Sequence, residues 1–212
     1  MPKGTVATRL QTSEPRVRRG YFESRYGQLH VHNAIPPGGG FEEGTGLLCL
    51  HGTGQTARVF QRFLPLLARD RSVYAPDIPG SGESDGPTSR LSVIDAATAL
   101  GDFLDSMRFR QIDVLGYQSG SLVAAELALA RPQQVRRVVL VGVPASPESE
   151  RLRQIGQPVL IARTKDELWD STQRARDLLP RARALELPQF GAGVFEQGPD
   201  AIAAPLKEFL SA

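Results

Sequence analysis

Short apolar runs alternate with helical patterns from about residue 46 to the end of the chain. Several runs are nearly continuous Val, Leu and Ile, as expected for strands whose two faces are both buried. Such alternation is typical of an α/β fold, a mostly parallel central sheet with helices on both faces. The predicted strands span residues 46–50, 72–76, 112–116, 135–141, 158–163 and 184–187, and the predicted helices span 57–68, 91–107, 119–130, 168–179 and 200–210.

The segment before residue 46 has the two-residue period of antiparallel strands instead. Residues 21–25 and 28–33 alternate between apolar and polar side chains, and Tyr26-Gly27 between them supplies a turn. We therefore predict an N-terminal antiparallel hairpin that precedes the parallel sheet.

The chain has 212 residues, of which 41% are apolar, enough for one substantial core. We expect a flexible basic N-terminal arm over residues 1–19 and a single domain over residues 20–212. Lys and Arg number 25 and Asp and Glu number 23, a formal net charge of +2, without any long run of like charges. This balance argues against a nucleic-acid partner.

No apolar stretch approaches the length of about 18 residues that spans a bilayer, and the first thirty residues lack a hydrophobic signal segment. We therefore expect a soluble, cytoplasmic protein without a membrane partner. The only cysteine, Cys49, lies in an apolar run and is expected to be a reduced core residue.

Three groups of motifs follow one another in a characteristic order. A buried strand ends in His51-Gly52, and the next strand leads into a loop rich in Pro and Gly over residues 77–84. Residues 114–121 form a strand that turns sharply into a helix, and the C-terminal strands are followed by Asp166 and by residues 191–193. Together these motifs resemble the α/β-hydrolase fold family over nearly the whole chain, from about residue 21 to residue 210.

In that family the turn from strand to helix is the nucleophile elbow, Gly-x-Ser-x-Gly, which holds the nucleophile in a strained backbone conformation. Gly116 and Gly120 match the two glycines, but the nucleophile slot holds Gln118. A carboxamide forms no useful acyl-enzyme, so Gln118 does not replace serine. The alternative is a shifted register with Ser119 as nucleophile, which moves both glycines off their slots.

The resemblance also implies that a catalytic histidine follows the nucleophile and the acid along the chain. The three histidines are His30, His32 and His51, and all of them precede Gln118. Ala192 occupies the histidine slot, or Val194 if the alignment slips by two residues. His30 and His32 alternate with apolar neighbours on the predicted hairpin and are expected to face solvent, without forming a metal site.

The acid slot is matched by Asp166, which is expected to cap the helix predicted from residue 168, with a remnant catalytic role as the alternative. His51 is interpreted as a structural residue of the oxyanion loop, with a base role as the alternative. Thr53 and the backbone N–H of Ser119 would line a remaining oxyanion niche. The residues expected to bind a ligand are His51, Gly52, Thr53, Tyr117 and Ser119.

Family members commonly insert a helical cap domain after the strand that ends near residue 142. Here only residues 143–157 separate this strand from the next, room for one short helix over 148–154 and for no lid. The missing cap leaves the elbow open to solvent or to a partner, and the uncovered surface favours a homo-oligomer.

The leading hypothesis is a non-catalytic α/β-hydrolase-fold protein that binds a small-molecule ligand or a protein partner at the elbow cleft, with no cofactor. The second is a hydrolase or lyase of small ester or related acyl substrates, with Tyr117, Gln118 and Asp166 as a non-standard site. The third is a structural subunit that dimerises through its cap-less face. The fold does not choose among them.

Overall fold

A computed structural model of the chain describes residues 14–37 and 44–212. Its eight strands form one sheet in the order β1-β2-β4-β3-β5-β6-β7-β8. The strands are β1 (Arg18–Ser24), β2 (Gly27–Ala34), β3 (Leu47–Leu50), β4 (Val73–Pro76), β5 (Ile112–Tyr117), β6 (Val135–Val141), β7 (Val159–Thr164) and β8 (Arg183–Leu187). β1 pairs antiparallel with β2 and β2 with β4, while all other neighbours are parallel.

Helices cover both faces of the sheet, which confirms the predicted α/β-hydrolase architecture. They are α1 (Leu64–Leu67), α2 (Val93–Ser106), α3 (Gly120–Ala130), α4 (Trp169–Asp177), α5 (Val194–Gln197) and α6 (Pro199–Ser211), with 3₁₀ helices over Ala57–Phe60 and Pro147–Gln154. The predicted helix over 57–68 is thus two short helices, because Pro65 lies within it and enters α1 near its start. In the described residues, no helix is long and apolar enough to cross a bilayer.

The core consists of two apolar clusters separated by the sheet. One lies under α2, α3 and α4, where Leu100 and Leu127 are fully buried. The other lies under the first 3₁₀ helix, α1, α5 and α6, where Phe60 and Phe195 are fully buried. Cys49 belongs to this second cluster as a free thiol, and burial raises its pKa far above the usual range.

The expectation that His30 and His32 face solvent is wrong, since they are only 2% and 7% exposed. Residues 29–32 of β2 are all buried, so both faces of this strand are covered there, and its edges pair with β1 and β4. The Nδ1 atom of His30 is 2.9 Å from Oδ2 of Asp77 in the loop after β4. In β2 the alternating polar residues therefore include a buried histidine that contacts Asp77, rather than a face open to solvent.

The first strand also begins earlier than predicted. β1 starts at Arg18, inside the segment expected to be a flexible arm, because residues 18–24 pair with β2 in continuous register. Residues 1–13 of that expected arm lie outside the described residues.

A buried carboxylate connects β5, β6 and α6 at the end of the sheet where β5 begins, opposite the elbow. Asp113 of β5 is fully buried and accepts two hydrogen bonds from Arg136 of β6, from Nε at 2.9 Å and Nη2 at 2.6 Å. Arg71, 2% exposed, lies 3.7 Å away. The same Arg136 donates to the carbonyl oxygen of Leu210 at 2.6 Å, which anchors the C-terminal end of α6.

Removal of this carboxylate should be strongly destabilising. Asp113→Ala removes the carboxylate that Arg136 binds and leaves the buried Arg71 with only the half-exposed Asp70 as an acidic partner. We expect the free energy of unfolding to fall by about 3–5 kcal/mol. The matched control is Asp105→Ala, which breaks an exposed pair with Arg131 and should cost about 0–1 kcal/mol. Urea unfolding of both variants measures the difference, and equal losses would contradict a dominant role for the buried charge.

Candidate functional site

A sharp turn connects β5 to α3 at Gln118 and Ser119. Gln118 has a φ of +52°, in the left-handed region that side chains other than glycine rarely adopt. The flanking glycines permit the turn: a Cβ on Gly116 would collide with the backbone of Gly120, and a Cβ on Gly120 would collide with the carbonyl of Leu50. The strand-turn-helix geometry therefore brings the start of α3 directly against the end of β3.

The carboxamide of Gln118 is oriented by its neighbours. Its Oε1 accepts a hydrogen bond from Nε2 of Gln55 at 3.2 Å, and Oε1 of Gln55 accepts from the N–H of Gly52 at 3.0 Å. The backbone N–H of Gln118 donates to the carbonyl of Val141 at 2.8 Å. Because its oxygen is used, the side chain of Gln118 presents an N–H₂ group, a donor rather than a nucleophile.

A sequence model of the family described as alpha/beta hydrolase fold matches residues 46–178, which include this turn. The chain belongs to the α/β-hydrolase fold family. Curated relatives of this α/β-hydrolase-fold protein include a pyrrolizixenacetamide deacetylase of Xenorhabdus hominickii, 30% identical over 171 residues, and a 2-hydroxymuconate semialdehyde hydrolase of a Pseudomonas species, 34% identical over 103 residues. The matches cover 80% and 45% of the chain but 60% and 35% of these relatives, so the chain spans only part of their length.

Solved structures show the same fold at low sequence identity. A CIB-like hydrolase from Thermoplasma acidophilum superposes with a TM-score of 0.82 at 16% identity, over 92% of this chain and 98% of that one. A thioesterase domain from the curacin biosynthetic pathway has a TM-score of 0.78 at 15% identity, over 91% and 99%. The fold of these structures therefore extends over 91–92% of this chain.

In this α/β-hydrolase-fold protein the Ser119 side chain contacts Thr53 in the loop after β3. The N–H of Thr53, after β3, donates to Oγ of Ser119 at 2.6 Å, and the two hydroxyl oxygens lie 2.9 Å apart. We predicted that Thr53 and the backbone N–H of Ser119 would line an oxyanion niche. Instead the Ser119 hydroxyl takes up the Thr53 donor, while the N–H groups of Ser119 and Gly120 find no acceptor in the described part of the chain.

Asp166 uses both carboxylate oxygens within its own loop. Oδ1 accepts from the N–H of Leu168 at 2.9 Å, and Oδ2 accepts from the hydroxyl of Thr164 at 2.7 Å. Leu168 is the residue that precedes α4, and the N–H of Trp169 donates to the backbone carbonyl of Asp166. Both carboxylate oxygens are thus used in the turn that leads into α4, while Leu168 occupies the N-cap position of that helix without a side-chain cap hydrogen bond.

The loop after β8 contains the predicted histidine slot and lies beside the Asp166 loop. Lys165 donates its N–H to the carbonyl of Phe190 at 2.6 Å, which joins the two loops. Ala192 is exposed in this loop, whereas Val194 is fully buried. The topology thus places the loop that contains Asp166 next to the loop that contains Ala192.

His51 has no ring nitrogen free for catalysis. Its Nδ1 donates to the carbonyl of Gly52 at 2.8 Å, and its Nε2 accepts from the N–H of Ile78 at 3.0 Å. The ring is 1% exposed, and this burial lowers its pKa, which keeps it neutral at pH 7. These contacts fit the structural interpretation of His51, since the imidazole holds the loop after β3 against the loop after β4.

A cavity of about 790 Å³ opens next to the elbow, and we call it the elbow cavity. It is lined by residues 51–56, 78–82 and 87–93 with Ala96, Ser119, Gly120, Leu122, Val123 and Glu148. Of the predicted site residues, it brings together His51, Gly52, Thr53 and Ser119.

The other predicted site residues do not line the elbow cavity. Gln118, Asp166 and Ala192 are not part of its lining. Tyr117 is 1% exposed, and its ring packs edge-on against Phe195 at 5.0 Å between ring centroids. A direct ligand contact by Tyr117 is therefore not supported, because its ring fills the core beneath the elbow.

Gln55 and Arg90 are among the polar residues of the site that were not predicted from the sequence. Gln55 orients Gln118, and Arg90 lines the elbow cavity. Both lie in loops without periodicity, where sequence reasoning has only residue type to work with. In the described residues no group of three or more His, Cys, Asp or Glu side chains is arranged to hold a metal ion.

Asp77 joins three elements at one wall of the elbow cavity. Its Oδ1 accepts from the N–H of Ala57 at 2.6 Å, and its Oδ2 accepts from the N–H of Glu83 at 3.0 Å and contacts His30. Burial raises the pKa of the Asp77 carboxyl, but these hydrogen bonds outweigh burial, so the pKa is lowered overall. The ionised form of Asp77 therefore stabilises the loop that lines the cavity.

This linkage predicts a pH-dependent effect of Asp77→Asn. The native pKa lies below the unfolded value, so the stabilisation is present above about pH 4 and lost as the pH falls through the lowered pKa. We expect the variant to lose about 1–3 kcal/mol at pH 7 and to approach the parent below pH 4. Urea titrations from pH 3 to 8 measure this, with Asp170→Asn, an exposed carboxylate, as control. A difference that stays constant over the whole range would contradict the account.

Proposed function

We propose that this α/β-hydrolase-fold protein has lost the Ser-His-acid triad and binds a small ligand, or else a protein partner, at the elbow without catalysing acyl transfer. The observation that carries the proposal is that every histidine lies at or before position 51, while the elbow presents Gln118. The described loop after β8, where the family places its histidine, contains Ala192 instead.

The chemistry of acyl transfer explains why these two positions matter. A serine hydroxyl attacks a carbonyl only when a neighbouring base removes its proton. Gln118 has no ionisable proton near neutral pH, and both nitrogens of His51 are engaged with the backbone. Loss of triad members in a serine protease lowers turnover by up to about 10⁶-fold. The residual site would supply only binding and hydrogen bonds.

The elbow backbone and the cavity beside it support a binding function. The left-handed backbone at Gln118 and the two close-packed glycines persist, and the elbow cavity has a volume within the usual range of ligand sites, about 300–1,000 Å³. A scaffold that still forms the elbow and its cavity is suited to ligand recognition.

An assay of ester hydrolysis tests the proposal. The purified protein is expected to show no turnover of p-nitrophenyl acetate or butyrate above buffer and no labelling by a fluorophosphonate probe. Circular dichroism of the same sample controls for folding. Turnover or labelling that Ser119→Ala abolishes would overturn the proposal and establish Ser119 as a nucleophile.

A gain of function tests the assignment of the slots. Gln118→Ser with Ala192→His should restore measurable ester hydrolysis, roughly 10²-fold above either single change, because a positioned base contributes about that much. The matched control is Gln118→Ala with Ala192→His, which adds the base without a nucleophile and should stay inactive. A folded double variant without activity would mean that these positions are not the nucleophile and histidine slots.

A hydrolase with a non-standard site is the second candidate function. The 30% identity to a deacetylase over 80% of the chain favours it, and the Ser119 hydroxyl lies at the cavity wall. This candidate lacks a base, since Asp166 is engaged in its own loop and His51 with the backbone. The fluorophosphonate experiment with Ser119→Ala separates the two candidates directly.

A further inference from the structure

Two buried histidines of β2 lie side by side on one face of the sheet. The rings of His30 and His32 meet edge-on, with 5.1 Å between their centroids. Nδ1 of His30 contacts the Asp77 carboxylate, whereas Nε2 of His30 and Nδ1 of His32 are buried and have no hydrogen-bond partner among the described residues. The two rings are thus a cluster of titratable groups that the proposed function does not use.

The hydrogen bonding of this histidine pair fits neutral rings. One nitrogen of a neutral imidazole is an acceptor, whereas both nitrogens of an imidazolium are donors. His30 donates from Nδ1 to the ionised Asp77, which leaves Nε2 as its acceptor nitrogen. A proton on that Nε2, or on both nitrogens of His32, creates a buried N–H group without an acceptor, which is unfavourable.

The surroundings of His32 also disfavour a charged ring. Burial is the main cause that lowers the pKa of His32, and the neighbouring His30 lowers it further. Arg19, directly opposite His32 on β1, acts in the same direction. Attraction by Asp77 and Glu83 opposes these effects without cancelling them, so the pKa is lowered overall.

The other elements that pack on β2 supply no counter-ion to this face. α1 contains only apolar residues, and the one charged residue of the 3₁₀ helix over Ala57–Phe60, Arg58, is exposed. In β4, Ala75 lies opposite His32, and Tyr74 belongs to the core cluster on the other face of the sheet. The histidine pair therefore has Asp77 and Glu83 as its acidic neighbours among the described residues.

The histidine pair connects the N-terminal hairpin to the loop after β4. The ring of Tyr21 on β1 lies 5.1 Å from the ring of His30, and the Tyr21 hydroxyl donates to Oε2 of Glu83 at 2.6 Å. Asp77, which contacts His30, accepts from the N–H of Glu83 in the same loop. Residues 78–82 of this loop line the elbow cavity. A change at the pair is therefore transmitted to one wall of the cavity.

We propose that His30, His32 and Asp77 form an acid-sensitive latch: the neutral rings hold β1 and β2 against the loop over residues 78–84, and protonation of the rings releases this loop. The latch acts on one wall of the elbow cavity. It does not depend on whether the elbow binds a ligand or catalyses a reaction.

The sign and range of the pH effect follow from the lowered pKa of His32. The released ring has the ordinary histidine pKa of about 6.5, so the closed loop has its full stability above that pH. This stability is lost as the pH falls from about 6.5 through the lowered pKa of the closed state. The opening equilibrium constant then rises by at most about tenfold per pH unit for each proton taken up.

Hydrogen exchange of single amides, measured by NMR between pH 7.5 and 5.0 and corrected for the intrinsic exchange rate, tests the latch. The N–H of Ala57 donates to the Asp77 carboxylate, and the N–H of Asp77 donates to the carbonyl of His30. We expect the protection of both amides to fall by up to about tenfold between pH 6.5 and 5.5. The N–H of Val138 in β6, which donates to the carbonyl of Pro158, should keep its protection.

Two substitutions replace the titrating rings. His30→Asn keeps an N–H donor for Asp77, and His32→Phe keeps an aromatic ring without a titrating nitrogen. Each single variant should reduce the acid-induced loss of protection at Ala57, and the double variant should abolish it. The matched control is Glu23→Gln, which changes an exposed carboxylate of β1 and should behave like the parent.

The imidazole resonances of the parent protein give a readout that needs no folded variant. The chain has three histidines, the latch pair and His51, so NMR follows the protonation of each ring. The latch predicts that His32 takes up its proton only as the protection at Ala57 is lost. Constant protection over the whole pH range, or protonation of both latch rings without loss of protection, would overturn the proposal. An acid-induced loss that persists in the double variant would also overturn it and would assign the sensitivity to His51.

Discussion

The structure depends on the close approach of α3 to the ends of β3 and β5. Gly116 and Gly120 leave no space for a side chain between the helix and the strands, and the Ser121 hydroxyl closes the junction with a hydrogen bond to the carbonyl of Gly116 at 2.9 Å. This packing holds the backbone of Gln118 in the left-handed region. That conformation costs about 1–3 kcal/mol for a residue other than glycine. The packing around Gly116 and Gly120 fixes the turn, so the strained backbone conformation is kept with glutamine at position 118.

This constraint decides what the site offers to a ligand. The turn leaves the N–H groups of Ser119 and Gly120 without an acceptor among the described residues, while Gln55 fixes the carboxamide oxygen of Gln118. The same turn brings the Ser119 hydroxyl to within 2.6 Å of the Thr53 nitrogen. An arrangement of donors without a base stabilises bound acceptors but moves no protons, which is the reason that we propose binding rather than acyl transfer.

Much of the fold could be predicted from the sequence, because strands that are buried on both faces are nearly continuous runs of apolar residues. β6 spans Val135–Val141 as its apolar run indicated, and the glycines around Gln118 marked the elbow. The position of His30 could not be predicted, because its partner Asp77 lies 47 residues away and only the folded sheet brings them together. Likewise the contact of Ser119 with Thr53, 66 residues apart, depends on the packing of α3 against β3.

The central claim is that this elbow forms no covalent bond with an acyl group. Intact-protein mass spectrometry on a millisecond quenched-flow time course with p-nitrophenyl acetate, followed by peptide mapping, tests it most directly. The account predicts an unmodified mass for the peptide that contains Gln118 and Ser119 at every time point. A transient acetyl adduct on that peptide, formed and then hydrolysed, would contradict it.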